Sequence, residues 1–195
     1  RSLELVKNIH GGTREGTLFQ VLDQTLTPMG TRKLRTWILN PLREKSKIVE
    51  RVGAVEEIKD NRHIRLPISE QLKGIRDLER VVGRASVGTA GPKDLGVLRD
   101  SLERLPEIKQ TLLSADSKLL QSLGMSMDTN HELSVLLSQA LSDPLPTRMS
   151  DGGMIAEGFD EKLDEIRYLA RSSKDWIAEF RAREAKRIGL EKLKI

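Results

Sequence analysis

The sequence predicts an all-α protein, an irregular helical core followed by a long helical arm, with only short extended segments at the ends. Three observations carry this. Aromatic residues make up 3% of the 195 residues while Leu, Glu, Lys and Arg abound, a mixture that favours helix over pleated sheet. Helix start signals recur through the first two thirds of the chain. Beyond them, residues Phe159 to Ile188 contain neither Gly nor Pro, the longest such stretch in the sequence.

The elements follow in order. Leu3-Glu4-Leu5 reads as a short extended entry, and His10 to Gly16 is too rich in Gly to be regular. Thr17 and Gln20 have the spacing of a capping box, in which hydroxyl and amide each satisfy an orphan backbone N–H. Thr27-Pro28 starts a second helix, with Thr as N-cap and Pro where its missing N–H costs nothing. Its inner face holds Leu34, Trp37 and Ile38, and Asn40-Pro41 ends it because the proline ring disfavours helical geometry at the preceding residue. Ser46 is placed to cap the next helix, whose apolar face is Ile48, Val49, Val52, Val55 and Ile58. Further helical patterns run from about Ile64 to Leu72, Ile75 to Ala85, Pro92 to Leu113 and Asn130 to Leu141, with Gly88 to Gly91 as a break. Trp37 and Trp176 lie on apolar stripes and are expected in the core.

Pro144, Pro146, Gly152, Gly153 and Gly158 cluster in Ser142 to Gly158 and mark the main boundary. Beyond it, Asp160 is placed to cap a rod that at 1.5 Å per residue reaches about 45 Å. Phe159, Leu163, Ile166, Ala170, Ser173, Ile177 and Phe180 follow alternating steps of four and three, widened by Leu169 and Trp176. This is the seam of a helix made to lie along another helix. The rod's charge is lopsided. Residues 157 to 170 hold five acids against Lys162 and Arg167, and residues 171 to 194 hold eight bases against four acids. A narrow arm whose far end gains positive charge suits a polyanion.

Composition excludes several classes. The absence of cysteine removes disulfides, thiolate metal sites and cysteine nucleophiles, and it fits a reducing compartment, with the cytosol as the default. No apolar run reaches the length of a membrane span, and the start does not read as a signal peptide. Gly11 to Gly16 and Gly83 to Gly88 nearly spell phosphate loops, but both lack the lysine that reaches the outer phosphates. His10, His63 and His131 have no ligand at helical spacing, so no metal site is expected. The carboxylates Asp160, Glu161, Asp164 and Glu165 read as an acid-rich first helical turn rather than a catalytic cluster. No nucleophile stands beside a base.

Four segments then carry a resemblance. The first comprises Arg1-Ser2-Leu3-Glu4-Leu5, Gly16-Thr17-Leu18, Val21-Leu22-Asp23, Thr25, Thr27, Met29-Gly30, Arg32, Leu34-Arg35, Trp37 and Pro41-Leu42. The second is Ile75 to Arg80 with Pro92, Asp94-Leu95 and Ser101-Leu102. The third is Gly152-Gly153, Ile155, Gly158 and Asp160 to Arg167, and the fourth Arg183-Glu184, Ile188-Gly189 and Leu193-Lys194-Ile195. Together they resemble the core domain of MutS-type DNA mismatch repair proteins.

The resemblance implies a helical core over 1–157, the first lever helix over 158–190, and over 191–195 the entry strand of a clamp domain that closes over DNA. The chain is then expected to be an excised piece of a dimeric ATPase, either a homodimer or a dimer with another member of the family. ATP and Mg²⁺ would bind in a later domain, mismatched double-stranded DNA would be the ligand, and a MutL-type protein a downstream partner. The fragment itself is expected to be scaffold and lever, not catalyst. Arg181, Arg183, Lys186, Arg187, Lys192 and Lys194 are the candidate DNA-proximal residues, contacting phosphate without reading bases. Phe159, Leu163, Ile166, Ile177 and Phe180 form the candidate packing seam. Two rivals are a paralogue that clamps recombination intermediates and a non-catalytic helical protein-interaction module.

Overall fold

The computed structural model describes residues 3–9 and 11–188, the side chains of Lys174 and of residues 185–188 excepted. Among the described residues it is all-α. In order, the helices are α1 (Leu18–Leu22), α2 (Pro28–Leu39), α3 (Lys45–Asp60), α4 (Arg62–Gly74), α5 (Leu78–Ser86), α6 (Pro92–Leu102), α7 (Leu105–Leu113), α8 (Lys118–Ser126), α9 (His131–Ala140) and α10 (Glu161–Ile188).

The capping residues explain most of the boundaries. Thr17 Oγ1 accepts from Gln20 N at 3.2 Å, while Gln20 Oε1 takes Gly16 N at 2.7 Å, one residue before the reciprocal bond of an ideal capping box. Thr27 Oγ1 accepts from Gly30 N at 3.0 Å with Pro28 as the first helical residue, and α2 stops before Asn40-Pro41. The entry at Leu3 to Leu5 is not extended. Glu4 adopts a φ of 44° and its carboxylate takes Ile9 N at 2.7 Å, so the chain turns there instead. The other expected extended segment, 191–195, lies outside the described residues.

Other expectations are corrected. Ser46 lies inside α3 and donates to Glu44 Oε1 at 2.8 Å instead of capping the helix. The pattern from Pro92 to Leu113 forms two helices, because Pro106 has no N–H for the carbonyl of Leu102 and its ring crowds that turn. Helix α8, which the apolar spacing does not announce, is started by Ser117 with the help of Glu57. On α3 the buried residue is Ala54, whereas Ile48, Val49, Val52 and Val55 are exposed. Trp37, expected inside, is 40% exposed and covered by the Arg51 guanidinium 3.8 Å above its ring.

The main core joins α3, α4, α7 and α8 through Ala54, Ile64, Ile75, Ile108, Leu112, Ala115 and Leu120. Each buried Ile or Leu is worth about 1.5–3 kcal/mol over its exposed state. A second cluster, Leu102, Leu137 and Leu141, packs α6 against α9 with help from Leu145 and Met154.

Polar ties fix the angles between helices. Arg32 on α2 reaches the start of α5, donating from Nη1 to Asp77 Oδ2 at 2.9 Å, from Nη2 to Asp77 Oδ1 at 2.7 Å and from Nε to Glu79 Oε2 at 2.9 Å. Asp77 also caps α5. The Arg32 hydrogen bonds hold the Asp77 carboxyl below its ordinary value and raise the guanidinium's. In the same way Arg84 of α5 binds Asp94 of α6, which also accepts from Gly91 N at 3.1 Å, and Asp94 is held low by the arginine first and that N–H second.

Candidate nucleic-acid interface and packing seam

The long helix is built outward from its base. Asp160 Oδ1 accepts from Leu163 N at 2.8 Å, the N-cap bond, so the helix begins at Glu161 and Phe159 stands just before it. Asp164 Oδ2 accepts from Gly158 N at 2.6 Å, and Gly158 has a φ of 85°, a conformation costly for any residue with a Cβ. Acids in a first turn also complement the helix dipole. These carboxylates are therefore employed in starting the helix.

Arginines fasten that base to the preceding segment. Arg167 Nη1 donates to Asp164 Oδ1 at 3.0 Å and Nη2 to the Ile155 carbonyl at 2.9 Å, while Arg171 Nη2 donates to Glu157 Oε1 at 2.9 Å. Ile155 forms an antiparallel bridge with Leu141, flanked by Ser142 N to Met154 O and Ala156 N to Ala140 O, both at 2.9 Å. Hydrogen bonds thus run without interruption from the end of α9 to the second turn of α10. The spacing of Asp164 and Arg167 hinted at one of these contacts; the bond to Ile155, twelve residues away, had no local signal.

From there α10 is a single unbroken helix of 28 residues, about 42 Å at 1.5 Å per residue. Along the seam, Phe159, Ile166 and Ile177 are exposed, and Leu163 and Phe180 are half-buried. Trp176, expected in the core, is 62% exposed. It stacks on Phe180, with ring centroids 5.5 Å apart and planes 15° from parallel, and the Arg183 guanidinium lies 5.7 Å from the Phe180 ring. Indole, phenyl and guanidinium therefore follow one another at i, i+4 and i+7 along the helix.

Of the candidate DNA-proximal residues, Arg181 and Arg183 are exposed on α10. Lys186 and Arg187 belong to the same helix, though their side chains are not among those described, and Lys192 and Lys194 lie outside the described residues. The helix therefore carries four of the six within its last eight residues.

The two glycine segments that nearly spell phosphate loops are built otherwise. Gly83 lies inside α5. In the Gly11 to Gly16 loop three of the N–H groups turn inward to side chains: Asn8 Oδ1 takes those of Gly11 and Thr13 at 3.0 and 3.2 Å, and Gln20 Oε1 takes that of Gly16 at 2.7 Å. Neither segment fits a phosphate cradle. Among the described residues no three His, Asp or Glu side chains are grouped to hold a metal ion, and no helix is long and apolar enough to cross a membrane.

Comparison with known proteins decides the family. The family described as MutS domain III matches residues 1–193. The chain belongs to it. As a MutS domain III it is 45% identical to the DNA mismatch repair protein MutS of Methanothrix thermoacetophila, 42% to that of Streptococcus mutans and 40% to that of Lysinibacillus sphaericus. Each match covers all of this chain and 23% of the relative. This MutS domain III thus spans about a quarter of the length of the curated relatives it matches. The all-α architecture of the described residues agrees with that assignment, the one the four resembling segments imply. Of the residues in those segments, Arg32, Asp77, Glu79 and Asp94 prove to be the polar ties between α2, α5 and α6.

Proposed function

We propose that this chain is the core and lever scaffold of a MutS-type DNA mismatch repair protein. Residues 1–157 would form the core, 158–190 the first lever helix and 191–195 the entry to a clamp. The scaffold couples ATP-driven changes in a C-terminal ATPase domain outside this chain to a clamp that grips mismatched double-stranded DNA. It has no catalytic step of its own. ATP and Mg²⁺ belong to the ATPase domain, and the parent acts in the cytoplasm as a family dimer with a MutL-type partner downstream.

The observation that supports this reading best is the build of α10. Relaying motion over tens of ångströms needs a stiff element with a defined packing face and a fixed base, because a loop absorbs displacement. α10 is continuous over 28 residues, carries an apolar stripe, and is fastened at its base by Asp160, Asp164, Arg167 and Arg171. Its distal end gathers Arg181, Arg183, Lys186 and Arg187. These cations attract phosphates irrespective of sequence.

A salt titration of DNA binding by the intact parent tests the distal end. Charge reversal at Arg183 and Lys186 is expected to lower the slope of log K against log salt by about 0.9 for each phosphate that is no longer neutralised. An unchanged slope would mean that this end does not touch DNA.

A further inference from the structure

The base of α10 belongs to one of two packed bodies, and it is the smaller one. The main core joins α3, α4, α7 and α8, a second apolar cluster joins α6 and α9, and Leu105 packs against both. The base of α10 is bonded through Ile155 and Glu157 to the segment that follows α9. That segment lies against α6, where a Cβ at Gly96 would stand 2.5 Å from Leu145 Cδ1. Ser138 Oγ of α9 donates to Glu103 Oε1, just past α6, at 2.9 Å. α5 is part of the same body, because the Arg84 guanidinium forks onto Asp94 of α6. Any rotation of α5 against the main core therefore carries α6, α9 and the foot of α10 with it.

The backbone alone does not fix that rotation. Between α4 and α5 the chain has three residues, Ile75 to Asp77, and Ile75 is extended, with φ −77° and ψ 120°. The nearest polar tie, Arg76 N to Ser101 Oγ, is long at 3.3 Å. The stronger constraint comes from α2. Met29 packs on the main core and Trp37 is covered by Arg51 of α3, so α2 is fastened to the larger body. One turn beyond Met29, Arg32 reaches the start of α5 and uses all three guanidinium nitrogens, on both oxygens of Asp77 and on Glu79 Oε2. A fork of this kind fixes orientation as well as distance, which a point charge on a flexible stem does not. Asp77 is also the N-cap of α5, with Oδ1 accepting from Arg80 N at 3.4 Å. The guanidinium thus grips the end of the helix rather than a side chain on its flank. All of these contacts lie within the chain, so none depends on a surface that the rest of a parent protein could cover.

We infer that Arg32 is a positioning residue, whose fork on Asp77 and Glu79 sets the direction of α10 relative to the main core. This deepens the lever reading, and its consequence for DNA rests on that reading, whereas the geometry does not.

Spin labels at positions 122 in α8 and 165 in α10 of the intact parent read that direction by electron–electron resonance, with a pair at 47 and 122 inside the main core as the control. Arg32→Lys keeps the charge and loses the fork. It is expected to broaden and shift the 122–165 distribution while the 47–122 distribution stays as in the wild type. Glu79→Gln, at an exposed carboxylate, leaves the grip on Asp77 and should give a smaller change in the same direction. Mismatch-stimulated ATP hydrolysis by the same variants keeps the two readings apart: a displaced arm with stimulation intact supports the positioning role and counts against the lever. The inference is overturned if the 122–165 distribution in Arg32→Lys matches the wild type, or if it moves only together with the control, because the core has then loosened as a whole.

Discussion

Glu57 offers the sharpest test of how this core is held together. It sits at the C-terminal turn of α3, and its two carboxylate oxygens accept from Asp116 N and Ser117 N, both at 2.7 Å. The residue therefore completes the start of α8, whose own cap bond from Leu120 N to Ser117 Oγ is long at 3.5 Å. A hydrogen bond to a charged group contributes about 1.5–3 kcal/mol. The Asp116 N–H is exposed, so water replaces that partner, and only the partly buried Ser117 bond counts nearly in full. Glu57→Ala should then cost about 2 kcal/mol. Glu57→Gln should cost less, about 1 kcal/mol, because its Oε1 can still accept from Ser117 N as a neutral partner while its NH₂ faces the exposed Asp116 N–H. The assay is urea unfolding of the wild type and both variants, with hydrogen exchange at Ser117 as a local readout. A cost below about 0.5 kcal/mol for Glu57→Ala, the level of an ordinary surface change, would refute the reasoning, as would wild-type stability in Glu57→Gln.

Three other outcomes follow from the same geometry. Asp77 and Asp94 are held below the ordinary aspartate value of 3.8, chiefly by Arg32 and Arg84. Their pairs therefore stabilise the fold above that value and lose their effect as the pH falls below about 4 toward the lowered folded values; Asp77→Asn with Asp94→Asn should flatten the acid limb of a stability-against-pH curve, and an unchanged limb would assign it to other carboxylates. Gly83, in the middle of α5 with open space where a Cβ would go, should gain roughly 0.5–1 kcal/mol on mutation to Ala, whereas Gly96→Ala, whose Cβ would lie 2.5 Å from Leu145 Cδ1, should lose stability. Thermal denaturation of the two variants decides, and equal shifts would contradict the packing described for α6. Arg167→Ala removes the bond to Ile155 O and should raise hydrogen exchange in the first turns of α10 without altering the Ile64 and Ile108 core; unchanged exchange there would show that the base is held by other contacts.

Much of the fold is legible in the sequence because its punctuation is local. Thr17, Thr27-Pro28, Asn40-Pro41 and Asp160 act on backbone groups within four residues, so their chemistry can be read without knowing the tertiary structure. The failures lie where distant parts decide. Periodicity shows that α3 is apolar along Ile48, Val49, Val52 and Val55, yet it is the small Ala54 that meets α4 and α8. α8 escapes notice because its start leans on Glu57, sixty residues earlier than Ser117. The division between α6 and α7 was open to reading from Pro106 and its effect on Leu102, but the apolar spacing on either side concealed it. At the candidate site, the seam and the lopsided charge follow from residue order alone, whereas the anchoring of Arg167 on Ile155 depends on how the loop after α9 folds back. The cover that Arg51 gives Trp37, fourteen residues away, depends likewise on how α2 and α3 meet.

The central claim, that α10 moves as one stiff rod, is tested most directly by electron–electron resonance between spin labels at positions 162 and 183 of the intact parent, measured with and without ATP. Twenty-one residues of unbroken helix place the two backbone positions about 32 Å apart. A narrow distribution near that distance, unchanged by nucleotide, is the predicted result. A broad distribution, or a distance that shifts when ATP binds, would show a hinge within the helix and contradict the account.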